Sequence, residues 1–180
     1  NEFQLFKISM IDGSVIGTIP ITNQRPYGMT HDGSNFLIAD VDTDDIYKYD
    51  PTGNLISTIT PSISQPAYCQ GLAFDGTSLW FNDQRDSNIG EPNDRTYILD
   101  QLGNLLTEYP ATGNFPTGLA FDGTYIWSVD NDLDQLHKID PVTYTVMETY
   151  NTPGNLPVGL TFDGQYLWLV DNGTDLIYQI

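Results

Sequence analysis

A chain of 180 residues, 39% hydrophobic and 12% aromatic, can form one domain with an apolar core and is too apolar for a disordered acidic tail. It carries 24 acidic residues against six lysines and arginines, for a formal net charge of −18. This charge repels phosphate groups and argues against nucleic acid as a partner, and no run of 18 apolar residues is present for membrane insertion.

The acidic residues are mostly aspartates, with only four glutamates, which favours turns and oxygen-rich cation sites over helices. Cys69 is the single cysteine, so no intrachain disulfide can form. Few lysines and many Asp, Asn, Thr, Gly and Tyr residues predict an extracellular or cell-surface location.

Four copies of one six-residue phrase divide the chain. Each copy begins with glycine and ends with an Asp-Gly pair, and the final glycines are 43, 47 and 41 residues apart. Such a period is typical of four-stranded propeller blades, which run to about 40–50 residues. The copies are Gly28–Gly33, Gly71–Gly76, Gly118–Gly123 and Gly159–Gly164.

Residues 1–25 are predicted to supply the last two strands of a blade. Gln4–Ile8 matches Gln135–Ile139, and each segment lies 22 residues before a proline. By this alignment Phe3–Ile8 is a third strand of the repeat and Val15–Ile19 is a fourth.

Each of the next three repeats is predicted to form a complete blade with strands a to d. These blades comprise residues 26–65, 66–115 and 116–156. Strand a carries the repeated phrase, and its Asp-Gly pair favours a tight hairpin turn into strand b. No segment has the periodicity of an amphipathic helix. The predicted b strands are Asn35–Asp40, Ser78–Asp83, Tyr125–Asp130 and, in the last repeat, Tyr166–Asp171.

Residues 157–180 are predicted to supply strands a, b and c of the last blade. We therefore predict a single all-β domain over residues 1–180, a propeller of about four four-stranded antiparallel blades in which Val15–Ile19 completes the last blade. One surplus N-terminal strand remains, and it is a tail, pairs with a neighbouring molecule, or belongs to a longer propeller. The residues available for such pairing are Phe3, Leu5, Phe6 and Ile8.

A longer phrase appears at Pro116–Asp130 and Pro157–Asp171, reading Pro-x-Gly-Leu-x-x-Asp-Gly-x-x-Leu/Ile-Trp-x-x-Asp. It resembles the blade repeats of NHL, YVTN and virginiamycin-B-lyase-like propellers. The resemblance implies the fold, which serves binding scaffolds, surface-layer proteins, lactonases and lyases alike. Tyr68–Gly71 is also similar to glutamine cyclotransferases, but the downstream glutamates of that family have no counterpart here.

Four aspartates each lie seven residues after the glycine of an Asp-Gly pair and so close the predicted b strands. Further aspartates crowd the following loops at alternating positions, a spacing of hard oxygen ligands that suits Ca²⁺. The competing interpretation is that each carboxylate accepts backbone N–H groups within its own turn. The candidate calcium ligands are Asp40, Asp83, Asp130, Asp171, Asp42, Asp44, Asp132 and Asp134.

A second group of residues indicates ligand binding. Tyr27 and Tyr68 lie near the predicted channel mouth and are not repeated in the later blades, so they could stack on a sugar or seal the rim. The second blade also carries a seven-residue insertion within Gln84–Arg95. The candidate binding residues are Tyr27, Tyr68, Arg85, Glu91 and Arg95.

Two sets of residues at aromatic positions of the repeat are interpreted as structural. Trp80, Trp127 and Trp168 share one repeat position and are predicted to pack between blades. His31 and His137 replace aromatic residues of other repeats, and no catalytic role is predicted for either.

The favoured hypothesis is a non-catalytic extracellular module, either a surface or filament subunit or a binding domain, stabilised by Ca²⁺ and assembling by strand exchange with itself or with another extracellular protein. One alternative is a lactonase or lyase with a divalent metal held by the aspartates. The other is a carbohydrate-binding lectin. Asn172 begins the sequon Asn172-Gly-Thr174 and is the predicted glycosylation site.

Overall fold

The computed structural model describes residues 3–9, 11–22, 25–63, 68–84 and 94–180. Within these ranges the chain forms 17 strands in five antiparallel sheets. No helix in the described part of the chain has the length and apolar character needed to cross a membrane. The predicted all-β, four-bladed propeller is confirmed, with an additional N-terminal sheet of two strands.

The N-terminal sheet is a hairpin of β1 (Phe3–Ile8) and β2 (Val15–Ile21). Its turn is closed by backbone hydrogen bonds from the Ser9 N–H to the Ser14 carbonyl and from the Gly13 N–H to the Ser9 carbonyl, with Gly13 at a positive φ of 72°. The hairpin packs on the first blade, where Leu5 and Ile21 contact the core residues Ile38 and Tyr49.

The four blades follow in chain order, and the strands within each sheet are hydrogen-bonded in sequence order. Blade one contains β3 (Pro26–His31), β4 (Phe36–Asp40), β5 (Asp45–Tyr49) and β6 (Leu55–Ile59). Blade two contains β7 (Cys69–Phe74), β8 (Leu79–Asp83), β9 (Arg95–Leu99) and β10 (Leu105–Pro110). Blade three contains β11 (Pro116–Phe121), β12 (Ile126–Asp130), β13 (Gln135–Ile139) and β14 (Val146–Asn151). Blade four contains β15 (Pro157–Phe162), β16 (Leu167–Asp171) and β17 (Leu176–Gln179).

The closure of the last blade differs from the prediction. In the described part of the chain, the sheet of blade four has three strands and ends at β17, and β2 pairs with β1 instead. The physical reason is the short connection between β1 and β2, because pairing across a tight turn costs less chain entropy than pairing across the whole domain. Both β1 and β17 therefore have one edge without a hydrogen-bonded strand in the described sheets.

The repeated glycine of strand a allows neighbouring blades to approach closely. A Cβ at Gly118 would lie 2.6 Å from the backbone nitrogen of Leu160 in the next blade, and one at Gly28 would lie 2.9 Å from that of Leu72. The four inner strands are β3, β7, β11 and β15. Because real Cβ atoms do not approach backbone atoms so closely, β3, β7 and β11 can each lie against the next inner strand only with glycine at this position.

Apolar residues of the two facing sheets form a buried cluster in each space between consecutive blades. Ala39 and Ile46 of blade one meet Leu72 and Phe81 of blade two in one buried cluster. Trp80 is 2% exposed and packs between blades two and three, as predicted, whereas the other two repeat tryptophans are only half-buried. The core is therefore a series of inter-blade layers and not one central cluster.

Candidate functional site

The four strand-closing aspartates are buried, and Asp40, Asp130 and Asp171 each accept hydrogen bonds from two loops. The Asp130 carboxylate accepts hydrogen bonds from the backbone N–H of Phe115, at 2.9 Å, and of Leu133, at 2.6 Å. The partner upstream always lies 15 residues earlier, in the loop that leads into strand a. The equivalent upstream donors are Arg25 for Asp40, Tyr68 for Asp83, Phe115 for Asp130 and Leu156 for Asp171.

Asp171 shows how these hydrogen bonds act on ionisation. Burial of its carboxyl group opposes ionisation, but the N–H of Leu156 and the N–H and hydroxyl of Thr174 donate to it, at 2.8–2.9 Å. The donors outweigh the burial, and the pKa of Asp171 lies below its ordinary value. The Thr174 bonds cap the turn of Asp171 itself, and the Leu156 bond links that turn to the preceding loop.

The loop acids proposed as calcium ligands also take part in local contacts. Asp42 pairs with Arg25 at 3.5 Å and Asp132 accepts from the Asn114 side chain at 3.0 Å. Asp44 and Asp134 occupy positive φ angles of 59° and 54° in their turns. Among the described residues, no three His, Cys, Asp or Glu side chains are grouped so that they could hold one ion. Calcium binding remains a prediction for the individual loops.

A second set of aspartates, in the Asp-Gly turns, holds the tryptophans of strand b. The indole N–H of Trp80 donates to Asp75 at 2.6 Å, and the same bond recurs in blades three and four. In blade one Leu37 replaces the tryptophan, and Lys48 forms a 2.6 Å ion pair with Asp32 instead. These indole–carboxylate hydrogen bonds were not predicted from the sequence, although the constant spacing of five residues between aspartate and tryptophan indicates them.

A buried polar network lies between blades two and three, where other blades have apolar residues. The Asn82 side chain donates to the Ser128 hydroxyl at 3.1 Å and accepts from the Thr96 hydroxyl at 2.8 Å. His137 lies opposite Ser128 in the sheet, contacts the Thr149 hydroxyl at 3.1 Å through Nδ1, and has no hydrogen-bond partner at the buried Nε2 among the described residues. The signal for this network is the polar residues at positions that are apolar in the other repeats.

Burial of the imidazole lowers the pKa of His137, and the nearby negative charge of Asp130 opposes this effect. The neutral ring is therefore the form that the folded protein favours. His137 is 6% exposed and does not border any described cavity, so it belongs to the core.

Among the predicted binding residues that the structure describes, Tyr27 and Tyr68 do not line the same cavity. Tyr27 is half-exposed, lines an apolar cavity bordered by all four inner strands, and has the Arg25 guanidinium 5.7 Å from its ring centre. Tyr68 is also half-exposed but lies in the loop before β7, outside that cavity. Arg95 begins β9, whereas Arg85 and Glu91 fall outside the described residues.

This apolar cavity, of about 650 Å³, extends along the four inner strands to the open side of the blade series. It is lined by Val158, Val170 and Ile177 of blade four and by residues of the three other inner strands, which are Tyr27 and Met29 of β3, Gly71 and Leu72 of β7, and Gly118 and Leu119 of β11. The N-terminal hairpin borders it as well, through Ile8, Ser9 and Gly13. The cavity therefore joins the two ends of the described fold.

The predicted assembly strand is exposed. Phe3, Phe6 and Ile8 of β1 are 38%, 59% and 46% exposed, whereas Leu5 packs on blade one. Ile177 of β17 is 66% exposed. Asn172, the predicted glycosylation site, is also exposed, and its backbone N–H donates to the Leu156 carbonyl at 2.9 Å.

Comparisons with known proteins establish the fold class. No family model matches the sequence, and no curated protein matches it. The structure is similar to glutaminyl cyclase from Myxococcus xanthus, with a TM-score of 0.76 and 12% identity over 98% of this chain and 80% of that one. It is also similar to a catalytically inactive virginiamycin B lyase from Staphylococcus aureus bound to quinupristin, with a TM-score of 0.62 and 15% identity over 100% and 70% of the two chains.

The WD40 propeller domain of Doa1 is a further neighbour, with a TM-score of 0.59 and 13% identity over 93% of this chain and 54% of that one. Enzymes and a WD40 repeat domain thus share this architecture, and identities this low show the fold alone. The protein is a β-propeller, and the resemblance to virginiamycin-B-lyase-like propellers seen in the repeats is confirmed at the level of structure.

Proposed function

We propose that this propeller is a non-catalytic extracellular interaction module that assembles through the apolar surfaces of its N-terminal sheet and fourth blade. The observation that carries the proposal is the location of the exposed apolar side chains. Phe6 and Ile16 on the N-terminal sheet and Ile177 on blade four are all more than half exposed, and they flank the strand edges of β1 and β17.

Exposed edges with apolar side chains are surfaces that protein chains pair with, because the backbone groups along them seek hydrogen-bond partners. Exposed apolar side chains on an otherwise strongly charged protein are also typical of interaction sites. The rim aspartates support a binding module in a different way: the carboxylates of Asp40, Asp130 and Asp171 are engaged with loop N–H groups and maintain the scaffold.

Self-association is the direct test. We expect light scattering to show a molar mass that rises with protein concentration, and the Phe6→Lys/Ile177→Lys double variant to remain monomeric. Lysine at an edge strand blocks pairing because its charge would be buried. The matched control is Leu102→Lys, since Leu102 is 81% exposed in a turn of blade two, away from both edges.

A wild-type protein that stays monomeric at every concentration would overturn self-assembly, as would equal loss of association in the Leu102→Lys control. The same measurement in EDTA tests the calcium part of the proposal. Dissociation in EDTA that is reversed by Ca²⁺ would support a structural ion, and an unchanged mass would remove calcium from the assembly.

A further inference from the structure

On the open side of the propeller, blade four and blade one each have a face that no complete blade covers in the described structure. In blades one to three, two residues of strands b and c face the next blade and are buried by it. In blade three these are Val129 and Leu136, which are 0% and 2% exposed. Their equivalents in blade four, Val170 and Ile177, are 42% and 66% exposed. Blade four therefore presents an inter-blade surface that no neighbouring blade covers in the described structure.

The face of blade one on the other side of the gap is covered only in part. Ile38 of its strand b is 1% exposed because the N-terminal sheet packs on it. Met29 of its strand a is 53% exposed, whereas the equivalent Leu72 and Leu119 are 2% and 3% exposed. The N-terminal sheet thus covers what the outer strands of a preceding blade would cover, and the position of the inner strands is left uncovered.

Glycine contacts define the same gap independently. A Cβ added at the strand-a glycines Gly28 or Gly118 would lie 2.9 Å or 2.6 Å from the backbone of the next inner strand. At Gly159 the nearest atom to such a Cβ is in the Val170 side chain of the same blade, at 3.6 Å. Gly159 thus keeps the small side chain that close packing requires, although no further inner strand lies against it in the described structure.

We propose that the 650 Å³ apolar cavity is a docking groove for a β-hairpin supplied by a polypeptide outside residues 1–180. The inference rests on the proposed function as an interaction module and names the chemistry of its partner. The first strand of the hairpin lies against Gly159 and Met29, continuing the series of inner strands. The second strand pairs with the free edge of β1, so that hairpin, β1 and β2 form one four-stranded blade.

The groove selects its occupant by shape and polarity. The inner strand must carry glycine where it meets the neighbouring backbone, as Gly28 does against blade two. Its other inward residues must be apolar to cover Val158, Val170 and Ile177. The partner therefore has a small-apolar strand, a tight turn and an apolar second strand, the pattern of the a–b hairpins in this chain.

The test uses the full chain and a fluorescently labelled peptide with the sequence Pro116–Asp130, which contains one a–b hairpin. We expect saturable binding by fluorescence anisotropy. The Gly159→Ala protein should bind about tenfold more weakly or worse, since the added methyl group would meet the docked strand. A control peptide carrying Gly118→Ala should be weakened in the same way.

Amide hydrogen exchange locates the peptide. Exchange in β1 should slow when the peptide binds, and exchange in β14, another outer edge strand, should not change. Absence of saturable binding would overturn the inference, as would binding that is insensitive to both glycine substitutions or that leaves β1 unprotected.

Self-association and hairpin binding can be contradicted independently of each other. If the protein self-associates through Phe6 and Ile177 but does not bind the peptide, the hairpin groove is wrong and the interaction module stands. If a monomeric protein binds the peptide with protection of β1, the groove stands and self-assembly is wrong.

Discussion

Blades three and four have nearly the same sequence phrase but differ in what surrounds them. Val129 of blade three is 0% exposed between two neighbours, and the equivalent Val170 of blade four is 42% exposed. The strands of both blades have the same antiparallel pairing and the same Asp–Trp hydrogen bond. The repeat therefore determines the shape of a blade, and the neighbouring blades determine how much apolar surface that blade buries.

This difference has an energetic consequence. In a repeat architecture each unit is stabilised by its contacts with adjacent units, so end units have less support than internal ones. We expect the interior interfaces to control global stability and the fourth blade to open locally at a lower cost. The same apolar positions that form the core in blade three are exposed in blade four, as Val170 and Ile177 show.

The largest expected effect comes from a methyl group added to the inner strands. Gly118→Ala places a Cβ 2.6 Å from the Leu160 nitrogen and forces blades three and four apart. We expect it to lower the free energy of unfolding by about 3 kcal/mol, the upper end of the cost of overpacking. Urea denaturation followed by tryptophan fluorescence measures the change.

Gly159→Ala is the matched control, because its Cβ would meet only the Val170 side chain at an ordinary 3.6 Å. Its free energy of unfolding should change by less than about 0.5 kcal/mol, as for surface substitutions. Equal destabilisation by the two substitutions would mean that the end blade is packed as tightly as the interior ones, and the contrast between blades three and four would be lost.

A smaller effect is expected at the buried aspartates that accept hydrogen bonds from two loops. Asp130→Ala leaves the N–H groups of Phe115 and Leu133 without their acceptor in a buried loop, and should cost about 1–3 kcal/mol. Asp171→Ala removes the equivalent bonds in blade four, which opens locally more readily. We expect faster amide exchange in β15–β17 there, with a smaller loss of global stability.

Urea denaturation and hydrogen exchange of the two variants check this prediction together. The comparison would fail if Asp171→Ala destabilised the whole chain as much as Asp130→Ala. For Asp171 the sign of the pH dependence follows from its lowered pKa: the stabilisation is present above the unfolded pKa of about 3.9 and is lost as the pH falls through the folded value.

The repeat allowed the strands and the blade architecture to be predicted from sequence, because period-two apolar segments and Asp-Gly turns are local signals. The interpretation of Asp130 as a turn cap was also accessible, since its position repeats with the turn. The pairing of β2 with β1 was not, because two equivalent c strands, β1 and β17, compete for one d strand. The short connection between β1 and β2 and the packing of Leu5 on blade one both favour β1. The apolar groove depends on which repeat positions lack a neighbour, and no single residue signals it.

The smallest expected effect concerns His137, the core histidine of blade three. Burial lowers its pKa in the folded state, while Asp130 opposes the change, so the unfolded chain takes up the proton first as the pH falls. The stability associated with the neutral ring is therefore complete above the unfolded pKa of about 6.5 and is lost as the pH falls through the folded value. Thermal unfolding between about pH 7 and about pH 5, which brackets that pKa, should show a decline in the midpoint.

His137→Tyr restores the residue found at the equivalent positions Tyr47 and Tyr97, and should remove part of that decline because tyrosine takes up no proton in this range. His31→Phe is the matched control, since it also restores the residue of the other repeats, and His31 is exposed. A flatter pH profile in the His31 variant than in the His137 variant would place the acid sensitivity at the surface. A flatter profile in the His137 variant would place it in the interior interface, where the polar network of Asn82 and Ser128 replaces the apolar contacts that the other blades use.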